Sequence, residues 1–373
     1  MHLEPTQDQR ALRDSVRTVL ARECPPALAR AAVEKGAPAT ALWQRVGQLG
    51  WVALALPETA GGLELGPVEV SVVAEELGHC LAPVPWLATV SHYAAVVAAA
   101  GIEAQVSDLL SAVAEGRTGS LAVREDDTSP VPAVFATTAN RVAGGWRLSG
   151  TKTTVVDGAT ADDLVVVAAV DGRLAGFVVA RADTTVTQVR TVDATRGWAD
   201  VRLVDVRVPD ARALGEPGSA ETDAAIRRGL EHAVAALAAE TVGVCRGLLD
   251  ATVAYACVRH QFGVPIGSFQ AVKHRLADAH LALERARACA TYAALCLAED
   301  APDRSLAVEA AAVAAGDAAT RVARDALQTH GGIGYTWESD LHLWIKRARA
   351  NAVVLGTPAW HRQRVADLLG LPA

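Results

Sequence analysis

Arg259 is the residue around which this chain's chemistry is most readable. It stands in Tyr255-Ala256-Cys257-Val258-Arg259-His260-Gln261-Phe262-Gly263, followed by Pro265-Ile266-Gly267-Ser268-Phe269-Gln270. Its guanidinium is permanently charged and presents a planar fork of donors that matches a phosphate or carboxylate. An arginine left free where one helix ends and the next begins is suited to hold an anion, and Phe262 beside it offers a flat apolar surface. A second candidate is Gln328-Thr329-His330-Gly331-Gly332, where paired glycines permit positive φ and a close approach of backbone to a ligand. Proton transfer needs a different group, a carboxylate or imidazole held against the reacting atom in a dry cleft. Glu240, in the alanine-rich run Ala238-Ala239-Glu240-Thr241, is such a carboxylate, although an acid in apolar surroundings is more simply half of an ion pair with a buried arginine. The six cysteines form no Cys-x-x-Cys pair and have no histidine at ligand spacing, so no metal site is expected.

These groups need elements to position them. Val253, Cys257 and the alanines between them predict an apolar face on the helix before Arg259. Gly263 and Pro265 predict its end, and Ser268 is placed to cap the next helix, where Gln270 lies. Over the whole chain the pattern changes twice. Up to about Gly116 it is helical and alanine-rich, with stops at Gly50, Gly61-Gly62, Gly78 and Gly101. From about Ser120 to Pro209, β-branched runs such as Leu164-Val165-Val166-Val167 predict a small antiparallel sheet. From about Glu221 the helices are long and alanine-faced, as in a bundle. The expected fold is α+β, mainly α: an N-terminal helical domain over 1–117, a middle β domain over 118–215 and a C-terminal four-helix bundle over 216–373.

With 373 residues, 51% hydrophobic and 21% charged, the chain has material for packed domains and not for disorder. A formal net charge of -7 argues against a nucleic-acid partner. The apolar stretch from Val84 to Ile102 carries Pro85, Trp86, Ser91 and His92, and is expected to be a buried core helix and not a membrane span. The start, Met1-His2-Leu3-Glu4, lacks the basic and apolar regions of a signal peptide, so a cytoplasmic location is expected.

Taken in order, the motifs resemble the acyl-CoA dehydrogenase family over nearly the whole chain. They are Gly50-Trp51-Val52, Pro57-Glu58-Thr59-Ala60-Gly61-Gly62, Glu75-Glu76-Leu77-Gly78, Gly150-Thr151-Lys152, Asp193-Ala194-Thr195-Arg196, the R-x-x-F-G corner, and the Gln328 to Tyr335 run with Glu338. The resemblance implies FAD as cofactor. Arg259, Gln261, Phe262 and Gln270 would meet the FAD of a neighbouring subunit, and Gln328, Thr329, Gly331 and Gly332 would lie along its ADP part. It also implies an acyl-CoA substrate from lipid or steroid side-chain breakdown, an electron-transfer flavoprotein as acceptor, and a homotetramer or an α2β2 heterotetramer with a homologous subunit.

The family reaction removes an α proton with a glutamate found at one of two positions. One precedes a Gly-Thr pair, here Gly356-Thr357, where Leu355 stands; the other lies on the long helix before the corner, where Ala233 stands. Glu240 shares the helical face of Ala233 but sits seven residues on, roughly 10 Å along the axis. The family's flavin-ring segments depart as well. Val123 to Pro130 stands for a Thr-Glu-Pro loop, and Thr154-Val155-Val156-Asp157 for a Trp-x-Thr-Asn segment, so Val156 offers no donor. Three activities are compatible with this: a dehydrogenase with a displaced base, a non-catalytic subunit lending its corner and loop to a partner's FAD, and a flavin oxidase.

Overall fold

The computed structural model describes residues 4–125 and 135–372. The helices before the sheet are α1 (Gln7–Glu23), α2 (Pro26–Lys35), α3 (Thr40–Gln48), α4 (Pro67–His79), α5 (Ala95–Ala100) and α6 (Glu103–Ala114). The strands are β1 (Gly119–Ala122), β2 (Thr138–Val142), β3 (Gly145–Val156), β4 (Asp163–Val170), β5 (Arg173–Ala180), β6 (Thr185–Gln188) and β7 (Trp198–Pro209). After them come α7 (Ala220–Val258), the short strands β8 (His260–Gln261) and β9 (Val264–Pro265), then α8 (Gln270–Ala298), α9 (Arg304–His330), α10 (Leu341–Asn351) and α11 (Pro358–Leu368). This helical, β, helical order is the expected fold. The chain forms two compact units: Met1–Pro38, Pro67–Pro83 and Val234–Ala373 in the first, Ala39–Gly66 and Val84–Ala233 in the second.

In the first unit the core is largely alanine, with Ala286, Ala293, Ala311, Ala318 and Ala319 fully buried. Small side chains let helices approach closely, and glycines bring α4 and α7 closer still. A Cβ on Gly243 would lie 1.9 Å from the Glu75 carbonyl, and one on Gly78 would lie 2.2 Å from the Glu240 carbonyl. Helix α4 ends one residue past Gly78, at the expected stop, but Gly78 itself is still helical and is needed for packing. The acid pair beside it is compensated. Glu76, 2% exposed, accepts hydrogen bonds from Arg246 at 2.7 Å and Arg17 at 3.0 Å. Burial alone would raise its carboxyl, but the two guanidinium groups hold it below the ordinary range.

In the second unit the strands follow the order β1-β4-β2-β3-β7-β6, with β5 paired to β4. The pairing is antiparallel as expected except at β4, along which β1 and β2 run parallel. Leu164 through Ala168 are fully buried, which is why β4 reads as a continuous apolar run rather than an alternating one. The stretch from Val84 to Ile102 is buried from Trp86 to Ala94 and at Val96 and Val97, but Ala98 and Ile102 are exposed, and Leu87–Ala94 is a π-helix and not regular α-helix. Among the described residues one helix, α7, is long and apolar enough to cross a membrane, and 56% of its apolar window is buried inside the protein, as in a core helix.

Candidate functional site

Helix α7 ends at Val258, and the chain turns through the β8–β9 hairpin before α8. The Arg259 N–H donates to the Tyr255 carbonyl at 2.9 Å and its own carbonyl accepts from Ile266 at 2.8 Å, so backbone bonds fix the turn. The Arg259 side chain is exposed. Phe262 is held at φ 54°, a left-handed conformation unusual for an aromatic, and is 92% exposed with its ring edge-on to Phe269 at 6.2 Å. Gln261 and Gln270 are exposed as well. The apolar face of Val253 and Cys257 is exposed, the buried side of the last turns of α7 being formed by Thr252 and Ala256. One local expectation fails. Ser268 does not cap α8; its hydroxyl donates to the Pro265 carbonyl at 2.7 Å, and Phe269 holds the cap position without a side-chain bond.

The second run ends α9. Gln328 is exposed, the Thr329 hydroxyl donates to the Asp325 carbonyl at 2.7 Å, and Gly331 takes φ 62°. A Cβ on Gly331 or Gly332 would meet nothing within 4 Å, so this backbone lies open to a ligand. The structure joins corner and loop: Tyr255, one helical turn before Arg259, stacks on His330 with centroids 4.2 Å apart and planes 17° apart. Burial pushes the His330 imidazole down, so the ring is neutral at physiological pH.

Neither base position carries a proton acceptor, and both are buried: Leu355 is 7% exposed and Ala233 is fully buried. Glu240 is engaged elsewhere. Arg347 donates to its Oε1 at 3.0 Å and Asn351 to its Oε2 at 3.1 Å, all three residues being buried. Beside this clamp, Thr241, Asn351, Gly356 and His361 line a cavity of about 20 Å³, room for one water and not for an acyl chain. Sequence reasoning missed Arg347 and Asn351. The signal was present in Lys346-Arg347-Ala348-Arg349, a basic run crossing a helix whose neighbours are apolar.

In the second unit, the residues standing for the flavin-ring segment are turned inward. Val156 is buried, and its carbonyl accepts from the Ser120 hydroxyl at 2.5 Å. Asp157 Oδ1 accepts from Gly197 N–H at 3.0 Å, and the Thr154 N–H donates to Asp200 at 2.9 Å. Next to them Lys152 is fully buried, with its ammonium 2.6 Å from Glu125 and 4.5 Å from the Phe135 ring centroid. The Glu125 carboxylate also accepts from the N–H groups of Ala136 at 2.5 Å and Thr137 at 3.0 Å. Of the Val123 to Pro130 run, Asp126 to Pro130 lie outside the described residues.

FAD, which the resemblance implies, fits these residues in part. The exposed Arg259, the aromatic Phe262 and the open backbone at Gly331 and Gly332 suit a phosphate-bearing aromatic ligand. The Thr154 to Asp157 segment offers the ring no side-chain donor at Val156, and the Asp157 carboxylate is already bonded.

The helical–β–helical order with this corner and loop is that of the acyl-CoA dehydrogenase fold. The profile for the acyl-CoA dehydrogenase N-terminal domain matches residues 6–117, and that for the C-terminal domain matches 223–370. The chain is 34% identical over 360 residues to the acyl-CoA dehydrogenase IpdE2 of Mycobacterium tuberculosis, covering 95% of each chain. It is similar to the crystal structure of the ChsE4-ChsE5 complex from Mycobacterium tuberculosis, with a TM-score of 0.90, 29% identity and full coverage of both chains. It is also similar to a variant of the Tcur3481-Tcur3483 steroid ACAD, with a TM-score of 0.88, 32% identity and 98% of each chain covered. The chain belongs to the acyl-CoA dehydrogenase family, whose members are oxidoreductases acting on acyl-CoA.

Proposed function

We propose that this chain serves FAD-dependent α,β-dehydrogenation of an acyl-CoA thioester as the supporting subunit of a heteromeric enzyme. It supplies Arg259, Gln261, Phe262, Gln270 and the Gln328 to Gly332 loop to the FAD of a homologous partner, and it does not supply the base. The observation that carries this is the Glu240 clamp: the carboxylate that shares the helical face of the base position has both oxygens bonded, to Arg347 and to Asn351, while the base positions themselves are Leu355 and Ala233. Bound FAD accepts the β hydrogen as hydride. This chain's part is to hold the cofactor's anionic half with a planar guanidinium, cover its flat surface with Phe262, and keep water from it. The likeness to the ChsE4-ChsE5 complex and to a steroid ACAD named for two components supports a mixed assembly and an acyl substrate of the steroid side-chain class. An electron-transfer flavoprotein is the electron acceptor.

The test is the visible spectrum of the protein purified alone and after co-expression with a homologous subunit. Little flavin alone, and about one FAD for each pair of unlike chains together, is the expected result. A full complement of one FAD per chain in the unpartnered protein overturns the proposal and favours a homotetramer that carries its own sites.

A further inference from the structure

Helices α1, α4, α7 and α8 of the first unit enclose a cavity of about 430 Å³, a volume typical of small-molecule sites. Its apolar wall is made by Val68, Val72, Ala239, Val242, Ala288 and Leu295, and the small alanines are what leave the space. None of the corner, the glycine loop, the base positions or Glu240 lines it.

The charged groups at its rim are paired, with one exception. Glu4 faces Arg10 at 3.8 Å, and Arg287 is shared between Glu284 and Glu75, the latter at 3.4 Å. Gln9 donates to Glu69 at 2.8 Å, Ser71 to the Pro67 carbonyl at 2.9 Å, and the Tyr292 hydroxyl to Asp303 at 2.7 Å. Arg13 lines the cavity, is half-buried, and has no acidic or hydrogen-bonding partner among the described residues. Arg13 is thus the charged group of the lining without a direct partner, beside an apolar wall; its guanidinium can take the carboxylate of an amphiphile in a two-point fork while the wall takes the chain.

We propose that this cavity is a second ligand site that binds a fatty-acid anion, its carboxylate on Arg13 and its chain against Val68, Val72 and Val242. The site does not depend on how the chain partners FAD, and its test requires neither flavin nor catalysis. Calorimetric titration of the purified chain with decanoate is expected to show one site per chain. Affinity should rise about fourfold for each added methylene until the cavity is full. Arg13→Glu should weaken decanoate about tenfold or more, and Arg13→Lys should restore part of the loss. Ala288→Phe, a change at an exposed residue that leaves the fold intact, should block the chain's path. Decyltrimethylammonium should not bind. Binding of the cationic probe as tightly as decanoate, or wild-type decanoate affinity in both Arg13→Glu and Ala288→Phe, overturns the assignment.

Discussion

Glu240 shows how one side chain can carry two incompatible meanings until its partners are known. In sequence it is an acid in an alanine-rich helix two turns past a family base position; in the fold it is a buried carboxylate held by Arg347 and Asn351. Removing one member of a buried pair strands the other, so Glu240→Ala should destabilise the protein by about 3–5 kcal/mol in urea unfolding. Glu240→Gln retains acceptor and shape and should cost less. If Glu240→Ala unfolds at the wild-type midpoint, the clamp is not the structural pair described here. Lys152 gives a second test at this scale. Burial pulls its ammonium down to about 8, against the opposing attraction of Glu125. Between about pH 8 and its ordinary value near 10.4 the unfolded chain therefore binds a proton that the folded chain has lost. Stability should accordingly rise with pH across that window, and the penalty for burying the charge is fully present below it. Lys152→Met should remove this rise, leaving a flatter slope of urea midpoint between pH 8 and 10 than in wild type. Equal slopes in the two proteins would show that Lys152 does not titrate there.

Elements were legible in the sequence where they depend on local signals. The β-branched runs, the alanine-faced helices and the turn at Gly263 and Pro265 all mark real boundaries, because periodicity and backbone freedom act over a few residues. What was not legible is which surfaces meet. Gly78 reads as a stop until α4 is seen to lie against α7, where any side chain would strike the Glu240 carbonyl. Val253 and Cys257 read as an apolar stripe, but which side of the last turns of α7 is buried is set by packing: Thr252 and Ala256 are inside and the stripe is exposed. The candidate site divides the same way: corner and glycine loop were found as motifs, but their junction through Tyr255 and His330 and the Arg347–Asn351 clamp are long-range contacts. Gly243→Val tests the helix crossing. Its Cβ would sit 1.9 Å from the Glu75 carbonyl, so α4 must move off α7, and a loss of about 2–3 kcal/mol is expected in thermal or urea unfolding. Arg259→Ala tests the corner. The residue is exposed and its turn is fixed by backbone bonds, so the variant should unfold as wild type does while the assembled enzyme retains less FAD on dilution. Arg259→Lys should recover only part of that retention, since it lacks the planar fork. Wild-type flavin retention in Arg259→Ala would remove this arginine from the cofactor contact.

At the scale of the whole molecule, the exposed aromatics on the turns after α7 and α9 and the lack of a carboxylate at Leu355 and Ala233 bear on the same proposal. Phe262 at 92% and Tyr335 at 78% exposure sit on ordered turns, as expected of surface that another chain covers. On the proposed function, Leu355 and Ala233 stand where the family's base is expected and accept no proton, and Glu240, on the helical face of Ala233, is clamped. Loss of a positioned base costs about two to four orders of magnitude in rate. The unpartnered protein, reconstituted with excess FAD, should therefore show negligible anaerobic bleaching of flavin by an acyl-CoA, while the complex with a homologous subunit bleaches rapidly. Within that complex, Glu240→Gln in this chain should leave the bleaching rate per folded enzyme unchanged, because the clamped carboxylate takes no proton from substrate. Leu355→Glu in the unpartnered chain should not restore bleaching, since Val156 and the occupied Asp157 still offer the flavin ring no side-chain donor. Fast bleaching in the unpartnered wild-type protein that disappears in Glu240→Gln would invert this account, making Glu240 the base and this chain a complete dehydrogenase.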